Sequence, residues 1–132
     1  NISDLKFLPL ICYEIIYSGR LNKQKVNFDF ILNISEDGWF GKTIGPDQHF
    51  SKSIFRAIEN NTYLLRSANK GTSAIIDNKG KIVKRLNRSE AGSIEFNVPL
   101  IKSKKIKNDL IFFVLLITYL SIFIIYKKKN AK

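Results

Sequence analysis

Short apolar runs separated by Gly, Asn and Lys fill the chain up to Pro99, and one long uncharged run follows them. Leu8 to Ile11 is the first run. It ends at Cys12-Tyr13-Glu14, and apolar character resumes in Ile15, Ile16 and Tyr17 until the turn at Ser18-Gly19. A polar stretch from Asn22 to Asn27 leads into Phe28 to Ile34, whose continuous apolar character predicts a strand buried on both faces. Ser35 to Gly41 and Lys42 to Asp47 then read as a long loop punctuated by Gly. Asp47 is placed to cap a helix running to about Asn60, in which Phe50, Ile54 and Ile58 recur at a helical interval of four.

Tyr63 to Ala68 and Ser73 to Asp77 predict two strands joined by a turn at Asn69-Lys70-Gly71. Asn78-Lys79-Gly80 closes a hairpin onto Lys81 to Leu86, because Asn and Gly accept the positive φ of tight turns. Ser93 to Val98 alternates polar and apolar, the pattern of a half-buried strand. Leu110 to Tyr126 carries no charge, and as a helix it would extend about 25 Å, close to the thickness of a bilayer core.

The basic residues sharpen this picture. The net charge of +11 includes Lys102, Lys104, Lys105 and Lys107 before the apolar run and Lys127, Lys128, Lys129 and Lys132 after it. That distribution flanks a membrane span. No basic helix interleaved with base-stacking aromatics emerges, which argues against nucleic acid as a partner. A single cysteine, Cys12, excludes an internal disulfide and argues against a zinc cluster, so it is either a buried filler or a reactive group. The chain lacks Met and opens on Asn1, and is expected to be the C-terminal part of a longer polypeptide.

Ile11-Cys12-Tyr13-Glu14 resembles the nucleophile motif of the nitrilase (carbon-nitrogen hydrolase) superfamily, in which a strand delivers a Cys followed by an aromatic residue and an acid. Leu32 to Ser35 with Asp37 to Gly41, Gly45 to His49, Arg56 to Asn60, Leu65 to Gly71 and Asp77 to Gly80 keep the family's order. Glu14, Trp39-Phe40-Gly41 and the apolar run directly after the domain make the sequence similar to the superfamily's apolipoprotein N-acyltransferase branch.

The resemblance implies an α/β fold: residues 1–100 would be the C-terminal part of a four-layer αββα sandwich. A basic linker over 101–109, a transmembrane helix over 110–126 and a basic tail over 127–132 would follow. It implies Cys12 as the catalytic nucleophile, with Tyr13 and Glu14 supporting it. Trp39 and Phe40 are candidates for a substrate-facing surface, with core packing as the alternative. His49 is read as structural, and Arg56 and Glu59, three apart on a helix, are read as an ion pair.

The implied reaction moves an acyl group from a phospholipid donor, through a thioester, to the amine of a diacylglyceryl-modified apolipoprotein. It needs no metal or soluble cofactor. The family's base Glu and its Lys lie N-terminal to the Cys motif, in an upstream part absent from these residues, so the 132 residues alone are expected to be inactive. The implied location is a bacterial inner membrane with the domain facing the periplasm. Two alternatives accompany this reading: a membrane-linked hydrolase that cleaves an amide with water, and a non-catalytic remnant of a split reading frame.

Overall fold

The computed structural model describes residues 5–19, 21, 27–101 and 109–130. Five strands form one sheet in chain order: β1 (Phe7–Ile11), β2 (Phe30–Glu36), β3 (Tyr63–Asn69), β4 (Ser73–Ile76) and β5 (Ile82–Leu86). β1, β2 and β3 are mutually parallel, and β3, β4 and β5 are antiparallel. A 3-10 turn over Cys12–Ile16 follows β1, and a second over Gly38–Phe40 follows β2. α1 (Gly45–Asn60) makes the crossover from β2 to β3, and α2 (Asp109–Asn130) follows the domain.

The parallel strands need a crossover, whereas β3, β4 and β5 are joined by turns that local chemistry specifies. Lys70 adopts a φ of +54° after β3, and Gly80 a φ of +83° between β4 and β5. Asp77 ties the second turn by accepting from the backbone N–H of Lys79 and Lys81.

α1 covers one face of the sheet. Leu10, Ile15, Ile31, Ala57, Leu64, Ala74 and Ile76 form the buried core there, with Leu8, Phe28, Phe50, Ile54 and Ile82 packed around it. Ile58 does not join them and is 47% exposed, its side chain lying near Gly80. The buried stripe of α1 instead runs through Pro46, His49, Ser53, Arg56 and Ala57, because the helix lies over a polar network as well as over the core.

Three further expectations are corrected. β2 is buried on one face only: Ile31, Asn33 and Ser35 point beneath α1, while Ile34 on the other face is 56% exposed. Its continuous apolar sequence reflects an outer face left largely uncovered here, where Phe7 stacks on Phe30 at 5.7 Å. Asp47 does not cap α1, which starts two residues earlier with Ile44 at the cap and Pro46 in its first turn. Residues 93–98 keep their alternating burial but form no ladder; Phe96 packs on Tyr63 and Lys84 Nζ donates to the Glu95 carbonyl.

α2 is 22 residues long and continues past Tyr126 through the three lysines to Asn130. Lysine is a good helix former, and its charge suits the negative end of the helix dipole. The polar stretch at 22–26 and the lysines at 102, 104, 105, 107 and 132 lie outside the described residues.

Candidate active site

The carboxyl ends of parallel strands are where open α/β sheets gather ligand-binding groups. Cys12 directly follows β1, β2 ends at Glu36 with Asp37 next, and β3 ends at Asn69. The β2 and β3 ends are bound together. Asp37 N–H donates to the Asn69 carbonyl at 2.9 Å, and Asn69 Nδ2 donates to Glu36 Oε2 at 2.5 Å.

Cys12 has a φ of +48°, a left-handed conformation that L residues other than Asn and Asp adopt rarely. Two side chains brace this turn. Glu14 Oε2 accepts from the backbone N–H of Ile11 at 2.7 Å, and His49 Nε2 reaches the Cys12 carbonyl oxygen at 3.2 Å from α1. The strain is about 1–3 kcal/mol for such a residue, and it persists where neighbours over-determine it.

The thiol is half-buried. Sγ lies 4.0 Å from the Glu36 carbonyl oxygen, which can accept its proton's hydrogen bond, and 3.9 Å from Ser35 Oγ. Ser35 has one proton, and its 2.7 Å bond to Asp37 Oδ1 is the shorter and charge-assisted choice.

Beneath the cysteine lies a buried polar network. Arg66 Nη2 donates to Asp37 Oδ1 at 3.0 Å and Oδ2 at 2.8 Å, and its Nη1 donates to Asn33 Oδ1 and to Ser53 Oγ. Asn33 Nδ2 donates in turn to the Leu10 carbonyl in β1 at 3.0 Å. His49 Nδ1 stands 2.9 Å from Asp37 Oδ1. Burial pushes the Asp37 carboxyl up, but the Ser35 hydrogen bond, the Arg66 charge and His49 together outweigh it and hold the carboxyl below its ordinary range. Burial pulls the Arg66 guanidinium down against the opposing charge of Asp37 and, secondarily, of a Cys12 thiolate.

The residues singled out in the sequence separate here. Tyr13 stacks on His49 at 5.3 Å and on Phe40 at 6.1 Å, while Phe40 packs against His49 at 5.5 Å. Trp39 is 87% exposed and takes no part in that cluster. Glu14 braces the backbone ahead of Cys12. Arg56 pairs with Glu59 at 2.6 Å, and Glu59 also accepts from Ser18 Oγ and Gly19 N–H, tying α1 to the segment after the Cys12 turn.

Sequence reasoning did not find Asn33, Ser35, Asp37 and Arg66 as a unit. Their signal was Asn33 and Ser35 alternating with apolar residues at the end of β2, and an Arg between Leu64 and Ala68 in β3. Among the described residues, no group of three His, Cys, Asp or Glu side chains is placed to hold a metal ion.

The profile of the carbon-nitrogen hydrolase family matches residues 2–107. Apolipoprotein N-acyltransferase of Rickettsia typhi is 46% identical over 95 residues, 72% of this chain and 19% of that protein. That of Rickettsia bellii is 41% identical over 109 residues, covering 83% of this chain and 21% of its own length. That of Wigglesworthia glossinidia brevipalpis is 47% identical over 87 residues, 65% of this chain and 17% of that protein. The chain thus spans about a fifth of the length of these relatives. A cysteine on a braced turn at a sheet's carboxyl edge and a family match across most of the sequence lead to one assignment: this chain belongs to the carbon-nitrogen hydrolase family.

Proposed function

We propose that this chain carries the nucleophile of an apolipoprotein N-acyltransferase. One observation supports the reading above the others: Cys12 sits at the end of β1 on a left-handed turn, with its thiol half-open. The similarity to proteins named apolipoprotein N-acyltransferase gives the reaction class.

An ester is a sluggish electrophile at neutral pH, so the reaction needs a thiolate, a base to form it and donors for the oxyanion. The Cys12 thiolate attacks the acyl carbonyl of a phospholipid. The tetrahedral intermediate collapses to a thioester, and the departing lysophospholipid oxygen takes the proton that the base removed from the thiol. The amine of a diacylglyceryl-cysteine apolipoprotein then attacks the thioester, loses a proton as the amide forms and releases the Cys12 thiolate. Among the described residues, the thiol's hydrogen-bonding neighbours are Ser35 and the Glu36 backbone. By the family resemblance the base and a lysine for the oxyanion are assigned to polypeptide outside these 132 residues, and the chain alone is inactive.

The domain ends near residue 100, and a lysine-rich stretch of sequence precedes α2. α2, apolar and long enough to cross a bilayer from Leu110, anchors the domain to the inner membrane on its periplasmic side, with the lysines of the tail in the cytoplasm. Tyr13, Phe40 and Trp39 line the side from which lipid arrives.

The test is complementation. The complete reading frame containing this chain is expressed in bacteria depleted of their own lipoprotein N-acyltransferase, and the mass of a lipoprotein N-terminus is measured. A gain of one acyl chain is expected. Growth without that mass change, or amide hydrolysis in its place, overturns the reading.

A further inference from the structure

We infer that His49 is a positioning residue for Cys12, holding the nucleophile's turn through a hydrogen bond from Nε2 to the Cys12 carbonyl oxygen. This rests on the reading of Cys12 as nucleophile.

Cys12 has a left-handed φ, and His49 Nε2 stands 3.2 Å from its carbonyl oxygen. His49 arrives from the buried face of α1, and its ring is fixed on every side. Nδ1 faces Asp37 Oδ1 at 2.9 Å and Arg66 Nη2 at 3.2 Å, and the ring lies against Tyr13 and Phe40. Asp37 is itself held by Arg66 and Ser35. Thus the orientation of the thiol is tied to the buried ion pair through one imidazole, with no contact from His49 to the sulfur being required. A donor at the Nε2 position is the property that matters, since it prevents the strained turn from relaxing and swinging Sγ away.

That property separates two variants of similar size. In His49→Gln the side-chain amide nitrogen falls near the place of Nε2 and can still donate to the Cys12 carbonyl. In His49→Asn the amide stops near Nδ1, within reach of Asp37 and Arg66, and cannot reach the carbonyl. The complete reading frame carrying this chain is placed in bacterial membranes with radiolabelled phospholipid, and the rate of hydroxylamine-sensitive labelling is measured beside the unfolding temperature. His49→Asn is expected to label about a hundredfold more slowly, the scale of a misplacement of about 1 Å, and His49→Gln to restore most of the rate. Equal rates in the two variants, whether both slow or both parental, overturn the inference, as does the reverse order. Cys12→Ala is the control for the reading beneath it: full labelling in that variant removes the nucleophile assignment itself, whereas its loss of label beside equal His49 variants removes only the positioning role.

Discussion

Arg66 and Asp37 meet through one guanidinium nitrogen that donates to both carboxylate oxygens, at 3.0 and 2.8 Å, with both side chains fully buried. Arg66 comes from β3 and Asp37 from the residue after β2, so the pair locks two parallel strands at the edge where Cys12 emerges. Breaking one partner of such a pair leaves an unmatched buried charge, which costs about 3–5 kcal/mol. Asp37→Asn is therefore expected to destabilise the domain by that order, measured by pulse proteolysis of the membrane-embedded protein in urea. Asp37→Asn combined with Arg66→Met is expected to recover part of the loss, because the stranded charge is gone.

The same carboxylate sets an acid limit. Asp37 titrates below its ordinary value of 3.8 in the folded protein, so its contribution is complete above that value. It is lost as pH falls through the lower folded value, because the unfolded chain then takes up a proton that the native site refuses. Stability of the parent should drop steeply below about pH 4, and Asp37→Asn should flatten that part of the profile. Parallel curves for the two proteins in acid would contradict this.

Gly71 has no room for a side chain. A Cβ there would lie 2.6 Å from Asp37 Cγ and 2.8 Å from Asp37 Cβ, and that carboxylate is held too firmly to move aside. Gly71→Ala should displace Asp37 and, through His49, the Cys12 turn. Its labelling rate should fall with its stability, in contrast to Gly92→Ala, where the nearest atom is a Leu86 methyl at 3.5 Å.

α2 presents apolar side chains around its whole circumference, and its apolar stretch is not buried against the domain. If it spans the bilayer, a charge at its centre is costly, about 2.5–3.5 kcal/mol for Arg on insertion scales. Ile117→Arg should release a large share of the protein from alkaline-washed membranes, while Lys128→Ala should not. Retention of both variants would point to anchoring by another part of the polypeptide.

Much of the fold was legible because its signals are local. Gly80 and Asp77 specify the β4–β5 hairpin within a few residues, and the motif around Cys12 carries its own strand and turn. Burial was harder to read. The apolar run of β2 does not say which face is covered, since the partner of Ile34 is set by packing far along the chain or beyond it. Asp47 looked like a cap because carboxylates favour helix starts, but Pro46 fits the first turn and moved the start upstream. The alternation at 93–98 reports half-burial without reporting a neighbouring strand. The network of Asn33, Ser35, Asp37, His49 and Arg66 escaped detection for a related reason. No spacing along the sequence links these residues, and only pairing across the sheet makes their burial favourable.

An acyl group carried on Cys12 is caught by trapping the thioester bond itself. Membranes holding the complete reading frame, or the 132 residues alone, are given phospholipid with labelled acyl chains, and protein-bound label is tested with neutral hydroxylamine. Sensitive label is expected on the complete protein, none on Cys12→Ala and none on the 132 residues alone. Label that survives hydroxylamine, or that persists without Cys12 in a folded protein, would contradict it.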